Sequence, residues 1–419
     1  VPARAMMTEN PLCRMCGAEL RCTFVDLGKS PLCESFLVAE QLDQVERFYP
    51  LHVRICGECL LVQLEAYVPA NEIFTEYAYF SAYSDSWVRH AEAYTEMIVD
   101  RVGLTADSLV LEIASNDGYL LQHFVQRGIP TLGVDPAVNV APAALARGVP
   151  TIVDFFDSAL AQQFRREGRQ PNLIVANNVL AQVPELNDFV AGMEIALAEH
   201  GVVTVEVPHV VRLVDGLQFD TIYHEHYSYF SLTTLVRLFA SHGLDVFDVE
   251  ELASHGGSLR VYAKRLGDDA HVATGSVEAL LATESNGGYD RIDGYQDFAR
   301  RVIETKWALL ELLIDLRRAG NSIVGYGAPG KGNTLLNYCA IRADLLDYTV
   351  DRNPNKQGRY LPGTHIPIYA PSKIEETHPA YVLVLPWNLK QEIMGQLSHI
   401  QEWGGQLIVP IPNPEIVSW

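Results

Sequence analysis

The sequence predicts an α/β protein of three parts: a small zinc-binding N-terminal domain, a central Rossmann-like domain and a C-terminal Rossmann-like α/β domain. Three observations predict it. Two C-x-x-C pairs open the chain, Cys13 with Cys16 and Cys56 with Cys59. Apolar runs then alternate with helical periodicity from Leu109 to Val210, the pattern of a doubly wound parallel sheet. A second strand, glycine turn and helix, NSIVGYGAPGKGNTLLNYC, follows a long helical stretch from Tyr295 to Ala319. The expected boundaries are 8–75, 76–300 and 301–419.

Length and charge narrow the function. A chain of 419 residues exceeds one compact core and suggests two or three domains. Thirty-one basic against 52 acidic residues leave a formal net charge of -21, which repels nucleic acid. No run of about 18 apolar residues predicts a membrane helix. VPARA, before Met6 and Met7, lacks an apolar h-region and reads as an expression scar. Seven cysteines without a secretion signal fit a reducing compartment, and the cytoplasm is the expected location.

Paired C-x-x-C knuckles present four thiolates to a tetrahedral ion and leave no position for a reacting water. Cys13, Cys16, Cys56 and Cys59 are therefore the expected ligands of a structural zinc, the alternatives being buried thiols or a redox pair. A segment this short needs a staple to fold. Between residues 66 and 94 the chain turns rich in tyrosine and serine, then passes into an amphipathic helix near Trp87 to Ile98.

SLVLEIASNDGYLL reads as a strand (Leu109 to Ile113), a polar turn ending in Gly118, and a helix, with a ligand expected at the strand's carboxyl end. PTLGVD supplies the next strand and Asp135, 17 residues after Gly118, where an acidic side chain can accept both ribose hydroxyls. Ala114 and Asn116 stand where a dinucleotide fingerprint has glycines, which disfavours NAD and favours a nucleoside without a pyrophosphate. S-adenosylmethionine fits. The expected cofactor contacts are Glu112, Ser115, Asn116, Gly118 and Asp135, with Phe156 against the adenine and Asn177 and Asn178 near the methionine part. Phe155 and Phe156 read equally well as core. TIVDFFD, PNLIVANNVLAQV and HGVVTVEVPHV are the further strands, at 151–157, 171–183 and 200–210.

In the last third, Gly325, Gly327 and Gly330 fit G-x-G-x-x-G, and Asp351 lies 21 residues beyond Gly330. That pattern supports a rival reading, an NAD-dependent sugar-nucleotide oxidoreductase. Lys331 follows the third glycine, and Arg352, Lys356 and Arg359 cluster nearby, a set suited to the phosphates of a sugar nucleotide. A glycine turn that only packs helix on sheet, and a sugar-nucleotide binding protein without chemistry, remain alternatives.

CRMC with CGEC, then YAYFSAYSDSW, EIASNDGYLL, GVDP, YHEHYSYFS, HGGSLR and GYGAPGKGNTLL occur in this order. In that combination, over nearly its full length, the chain resembles the S-adenosylmethionine-dependent C-methyltransferases of nucleotide-linked deoxysugars. The resemblance implies a zinc-binding N-terminal domain, a methyltransferase domain and a C-terminal domain that helps bind the nucleotide sugar. It implies methylation at C3 of a dTDP-linked 4-keto deoxysugar, often a 3-amino sugar bound for an antibiotic. No oligomer, membrane or nucleic acid is required. The chain departs from the pattern at Gln182, where the family often has histidine; glutamine exchanges hydrogen bonds but carries no proton charge near neutral pH.

TIYHEHYSYFS, residues 221–231, supplies the groups such chemistry needs. C3 becomes a nucleophile only after losing a proton, with the charge passing to the C4 oxygen as an enolate. His226 is the candidate base and Glu225 its orienting carboxylate, although neighbours on an extended strand face opposite ways unless a turn intervenes. Tyr223 and His224 are candidate donors to the enolate. By resemblance Tyr77 completes the catalytic set. Tyr227, Tyr229 and Phe230 read as packing. Substrate contacts are expected from His224, Gln182, Ser258, Lys331, Asn333, Asp351 and Arg352, with Ser258 and Arg260 of HGGSLR either touching substrate or pinning the sheet.

Overall fold

Short runs of valine, isoleucine and leucine form two parallel-rich sheets in the computed structural model, which describes residues 10–75 and 80–417. The chain divides into two compact units. The first comprises the described residues of 1–22, 55–210 and 225–294, and the second those of 23–54, 211–224 and 295–419. Both C-x-x-C pairs thus fold with the central sheet, while the stretch between them folds with the C-terminal sheet. Among the described residues no helix is long and apolar enough to cross a membrane.

In the first unit seven strands lie in the order Thr151–Ile152, Thr131–Val134, Val110–Ile113, Leu173–Asn177, Val202–Pro208, Ser258–Arg265 and Leu244–Leu252. The first five are parallel. Ser258–Arg265 runs antiparallel to both of its neighbours. Strand order reverses between Val110–Ile113 and Leu173–Asn177, which opens a crevice beyond their carboxyl ends.

Tyr94 and Ile98 of helix Asp85–Val102 cover one face of this sheet, packed with Val110, Val175, Val202 and Tyr262. Ser84 caps that helix by accepting the Trp87 N–H, and Gly103 ends it in the left-handed region at φ 70°. Phe164, Leu186, Met193 and Leu235 fill the opposite face. There the buried Glu284 carboxylate accepts the Leu232 and Thr233 N–H groups at a helix start and meets His209 Nε2 at 2.8 Å.

The expected strand at 151–157 is shorter than the apolar pattern suggested: only Thr151–Ile152 pairs. Asp154 takes the Phe155 N–H, and Asp157 takes that of Leu160 to start helix Ser158–Arg166. The two aspartates turn the backbone into caps before it can extend a ladder.

In the second unit six strands lie in the order Ile368–Tyr369, Thr349–Val350, Ile323–Tyr326, Tyr381–Val384, Gln406–Val409 and Glu415–Val417, the last antiparallel to its neighbour. Helix Phe298–Arg318 realises the long periodic stretch. Phe24 stacks on its Phe298 at 4.6 Å, and Leu37 exchanges backbone hydrogen bonds with Tyr360.

Candidate functional site

The turn after Val110–Ile113 is built by three residues with positive φ: Ala114 at 59°, Asn116 at 47° and Gly118 at 78°. Two of these are not glycine, so backbone strain is stored where the first strand meets its helix. At Gly118 a side chain is disfavoured twice, by the positive φ and because a Cβ would lie 3.1 Å from Val149 and 3.2 Å from the Ala144 backbone. Asp135 stabilises the turn, accepting the Asn116 N–H at 2.8 Å through one oxygen and the Ala137 N–H at 2.8 Å through the other. Each oxygen keeps a lone pair for a further donor.

Around this turn, buried polar atoms lack partners among the described residues: Glu112 Oε2, Ser115 Oγ, Asn177 Oδ1 and Asn178 Nδ2. Unpaired groups of this kind cost stability and mark a place for a ligand or water. Burial, reinforced by Asp135 and Asp117, drives the Glu112 carboxyl well above its ordinary range. Asn178 is also left-handed, at φ 54°. Phe156 is buried edge-on to Phe189 at 5.6 Å, so it serves the core, while Phe155 is 39% exposed. The cofactor candidates thus come together at the switch point, Phe156 only at its margin.

Beside them runs a charged row in which sequence reading names Asn177 and Arg260 but not Glu206 or Glu250. Asn177, Glu206, Arg260 and Glu250 are partners in register across four strands. Arg260 Nε donates to Glu206 at 2.8 Å, and Arg260 also pairs with Glu250 at 3.0 Å. His90 Nε2 lies 3.0 Å from Glu206, and the His90 ring stacks on Trp87 at 4.8 Å. Burial pushes the Glu206 carboxyl up, but His90 and Arg260 more than offset it and hold it below its ordinary range. The available signal was the carboxylate set among valines in VVTVEVP. Ser258 donates to the Ser254 carbonyl at 3.0 Å, which commits its hydroxyl locally.

TIYHEHYSYFS is not a continuous strand. A 3-10 turn ends at Thr221, a second turn falls at residues 224–225, Ser228–Tyr229 pairs antiparallel to Val62–Leu64, and Phe230 bridges to His209. The turn interrupts the alternation that would have set Glu225 and His226 on opposite faces. Glu225 is buried and His226 half-buried, its ring edge-on to Tyr229 at 6.3 Å. Tyr227 donates its N–H to the Ala181 carbonyl at 2.8 Å, which brings His226 and Gln182 to either side of one backbone contact. Gln182 is half-buried in a 3-10 turn. Tyr77 lies outside the described residues.

Tyr223 and His224 belong to the second unit. His224 Nε2 meets the Pro50 carbonyl at 3.1 Å, while Nδ1 is buried without a partner among the described residues. Burial lowers the ring's pKa, so His224 is neutral, donates at Nε2 and offers Nδ1 as an acceptor. In the same unit Gly327, at φ 89°, opens the turn before helix Gly330–Cys339. Lys331 Nζ donates to Asn388 at 2.9 Å and lies 4.9 Å over the Trp387 ring, whose N–H donates to the fully buried Asp220 at 2.7 Å. Asp351 accepts the Ala328 and Asn353 N–H groups. Asn333 is buried with Nδ2 unpartnered among the described residues, and Arg352 is exposed beside Glu392. Asp220 and Trp387 carried no motif, because their contact depends on the fold.

The sulfurs of Cys13, Cys16, Cys56 and Cys59 all lie within 4.8 Å of one another, with the Cys13–Cys59 and Cys16–Cys56 pairs at 3.5 Å. Zinc–sulfur bonds of about 2.3 Å in a tetrahedron place sulfurs about 3.8 Å apart, so the set fits that ion. Gln63 Nε2 lies 3.1 Å from the Cys13 sulfur, a donor that tempers thiolate charge.

Three family models match in succession: a zinc binding domain over residues 13–74, a methyltransferase domain over 87–249, and a C-methyltransferase C-terminal domain over 253–412. Among solved structures, magnesium protoporphyrin IX methyltransferase from Synechocystis is 14% identical with a TM-score of 0.33, covering 43% of this chain and 82% of its own. The 1,6-didemethyltoxoflavin-N1-methyltransferase of Burkholderia thailandensis is 16% identical with a TM-score of 0.35, covering 49% and 95%. The C-methyltransferase NovU of Streptomyces niveus is 36% identical over 406 residues, 97% of this chain and 96% of that protein. The chain belongs to the family of S-adenosylmethionine-dependent C-methyltransferases that begin with a zinc-binding domain.

Proposed function

We propose that the chain transfers the methyl group of S-adenosylmethionine to C3 of a dTDP-linked 4-keto, 3-amino deoxysugar through an enolate, in antibiotic sugar biosynthesis. The observation that carries this reading is the gathering at the switch point of side-chain atoms of Glu112, Ser115, Asn177 and Asn178 that lack partners among the described residues, in the same unit as His226 and Gln182. S-adenosylmethionine supplies an electrophilic methyl; the chain must remove a proton and hold an oxyanion. In this reading His226 takes the C3 proton with Glu225 orienting it, Tyr223 donates to the C4 oxygen with Tyr77, and His224 accepts from a sugar hydroxyl or amine at Nδ1. Cys13, Cys16, Cys56 and Cys59 hold zinc. The functional segments are 8–75 for zinc, 76–300 for methyl transfer and 301–419 for the nucleotide. The test is a mass-spectrometric screen for gain of one methyl on a panel of 4-keto sugar nucleotides. A panel that stays unmethylated while its dehydroxylated or 3-keto analogues react would move the chemistry elsewhere.

Lys331, with Asn333, Asp351 and Arg352 around the same glycine turn, is assigned to the diphosphate, so Lys331→Ala weakens dTDP binding and leaves S-adenosylhomocysteine binding unchanged. Calorimetry with each ligand checks it, and equal loss of both counts against it. A pH dependence follows. Burial pushes the Asp220 carboxyl up to about 6, with Lys331 and Trp387 opposing. Below that pH Asp220 is protonated and stops competing with the diphosphate for Lys331, so binding of a dTDP-sugar, whose diphosphate gains no proton in this range, tightens as pH falls through about 6. Asp220→Asn removes that dependence.

At Gln182 the expected change is smaller. Gln182→His adds a titrating ring beside His226, so kcat or KM changes while the melting temperature stays near the parent's. Kinetics identical to the parent would place Gln182 outside the site.

A further inference from the structure

Arg14 stands between two zinc-ligand candidates in CRMC, yet its side chain turns away from the sulfurs. One guanidinium nitrogen donates to the Leu64 carbonyl and another to the Pro184 carbonyl at 3.4 Å. The guanidinium carbon lies 5.4 Å from the centre of the Tyr227 ring, within cation–π reach. Its backbone N–H donates to Gln63 Oε1 at 3.0 Å, and Asn187 Nδ2 donates to the Arg14 and Met15 carbonyls at 3.1 and 3.0 Å. The three elements it touches are themselves tied together, since Leu64 donates to the Tyr227 carbonyl at 2.9 Å and Tyr227 to the Ala181 carbonyl at 2.8 Å. Tyr227 is next to His226, and Pro184 is two residues from Gln182.

We propose that Arg14 couples the zinc knuckle to the proton-transfer segment: a positioning residue that fixes His226 and Gln182 by holding the Leu64 and Pro184 carbonyls and the Tyr227 ring beside them. The inference rests on the reading of His226 and Gln182 as site residues. Two short-range features make it specific. A planar fork reaches two carbonyls at once, which a lysine point charge cannot reproduce. The clamp also starts from a knuckle whose four cysteines suit a rigidifying metal ion, so its base is firmer than a loop would be. A cleft beside it of about 610 Å³, lined by Arg14, Gln63, Pro184 and Asn187, leaves room for Pro184 to shift once the clamp is cut.

The test uses full-length Arg14→Met and Arg14→Lys, with zinc content, S-adenosylhomocysteine binding, kcat and the imidazole NMR signal of His226 measured on each. Arg14→Met should keep one zinc per chain and unchanged cofactor binding, lower kcat by about 10- to 100-fold, and shift or broaden the His226 signal. Arg14→Lys should fall between it and the parent. Retained kcat and an unmoved His226 signal with zinc in place would overturn the proposal. So would a loss of activity that only tracks lost zinc, which would make Arg14 a support of the knuckle alone. The NMR signal needs no sugar substrate, so a failed methylation screen sinks the functional reading without deciding this one.

Discussion

If His226 is the base, His226→Asn is expected to lower methyl transfer by about 10² to 10⁴-fold, the usual cost of removing a general base, while both ligands remain bound. Asparagine keeps much of the ring's size and some of its hydrogen bonding, so the effect falls on kcat. The half-buried setting of His226 suits a group that must meet substrate and then release a proton to water. Glu225→Gln costs less, because it removes charge support for the imidazolium and leaves an acceptor. Tyr223→Phe is expected to slow the reaction if Tyr223 is, as proposed, a donor to the enolate oxygen.

Proton exchange separates this role from methyl transfer itself. With S-adenosylhomocysteine in place of the donor, the parent in D₂O is expected to wash deuterium into C3 of the sugar, and His226→Asn to lose that exchange along with methylation. A variant that exchanges or methylates as fast as the parent would transfer the role to another residue, with Tyr77 first. An outcome in which methylation falls but exchange persists would leave His226 a positioning role only.

The sequence made the strand, turn and helix around Gly118 legible because each signal is local. Four apolar residues end in a polar turn, and the next strand ends in Asp135 after one helix. The four cysteines were legible for the same reason: two short spacings state a tetrahedral donor set by themselves. What stayed hidden depends on register or on long closures. Glu206, Arg260 and Glu250 form a row only after three strands pair in a particular register. Asp220 meets Trp387 across 167 positions of sequence, and no periodicity encodes that contact. TIVDFFD looked like one strand because its apolar content was read before its aspartates, whose side chains captured the backbone first. The split of residues 23–54 from the cysteines on either side was equally invisible, since Phe24 is apolar in either environment and only its stacking on Phe298 decides where it goes.

Removing the metal is expected to have the largest effect on stability. Each chain should carry one zinc, and a chelator strong enough to take it should unfold the residues around the knuckle and abolish activity. The reason lies in how little regular structure holds them. Cys13, Cys56 and Cys59 are buried, yet among the described residues the backbone between Leu12 and Glu19 is held by an isolated bridge, turn hydrogen bonds and the side chains of Gln63 and Asn187, without a ladder or a helix. Without the ion, four sulfurs within 4.8 Å of one another would lose the bonds that gather them. Metal binding therefore contributes folding free energy, on the order of 10 kcal/mol for structural zinc in small peptides. Cys56→Ser and Cys59→Ser should each lose zinc and melt at lower temperature, measured by metal analysis and calorimetry. Because Arg14 and Gln63 tie the knuckle to the Val62–Leu64 strand, the loss should spread from the knuckle to the Ser228–Tyr229 pairing beside His226. Hydrogen exchange should then show the Tyr227 amide deprotected on zinc removal while the Val110–Ile113 amides stay protected. Protein purified without chelator that holds no zinc yet keeps full stability and activity would remove the metal from the account, and the four cysteines would be buried thiols.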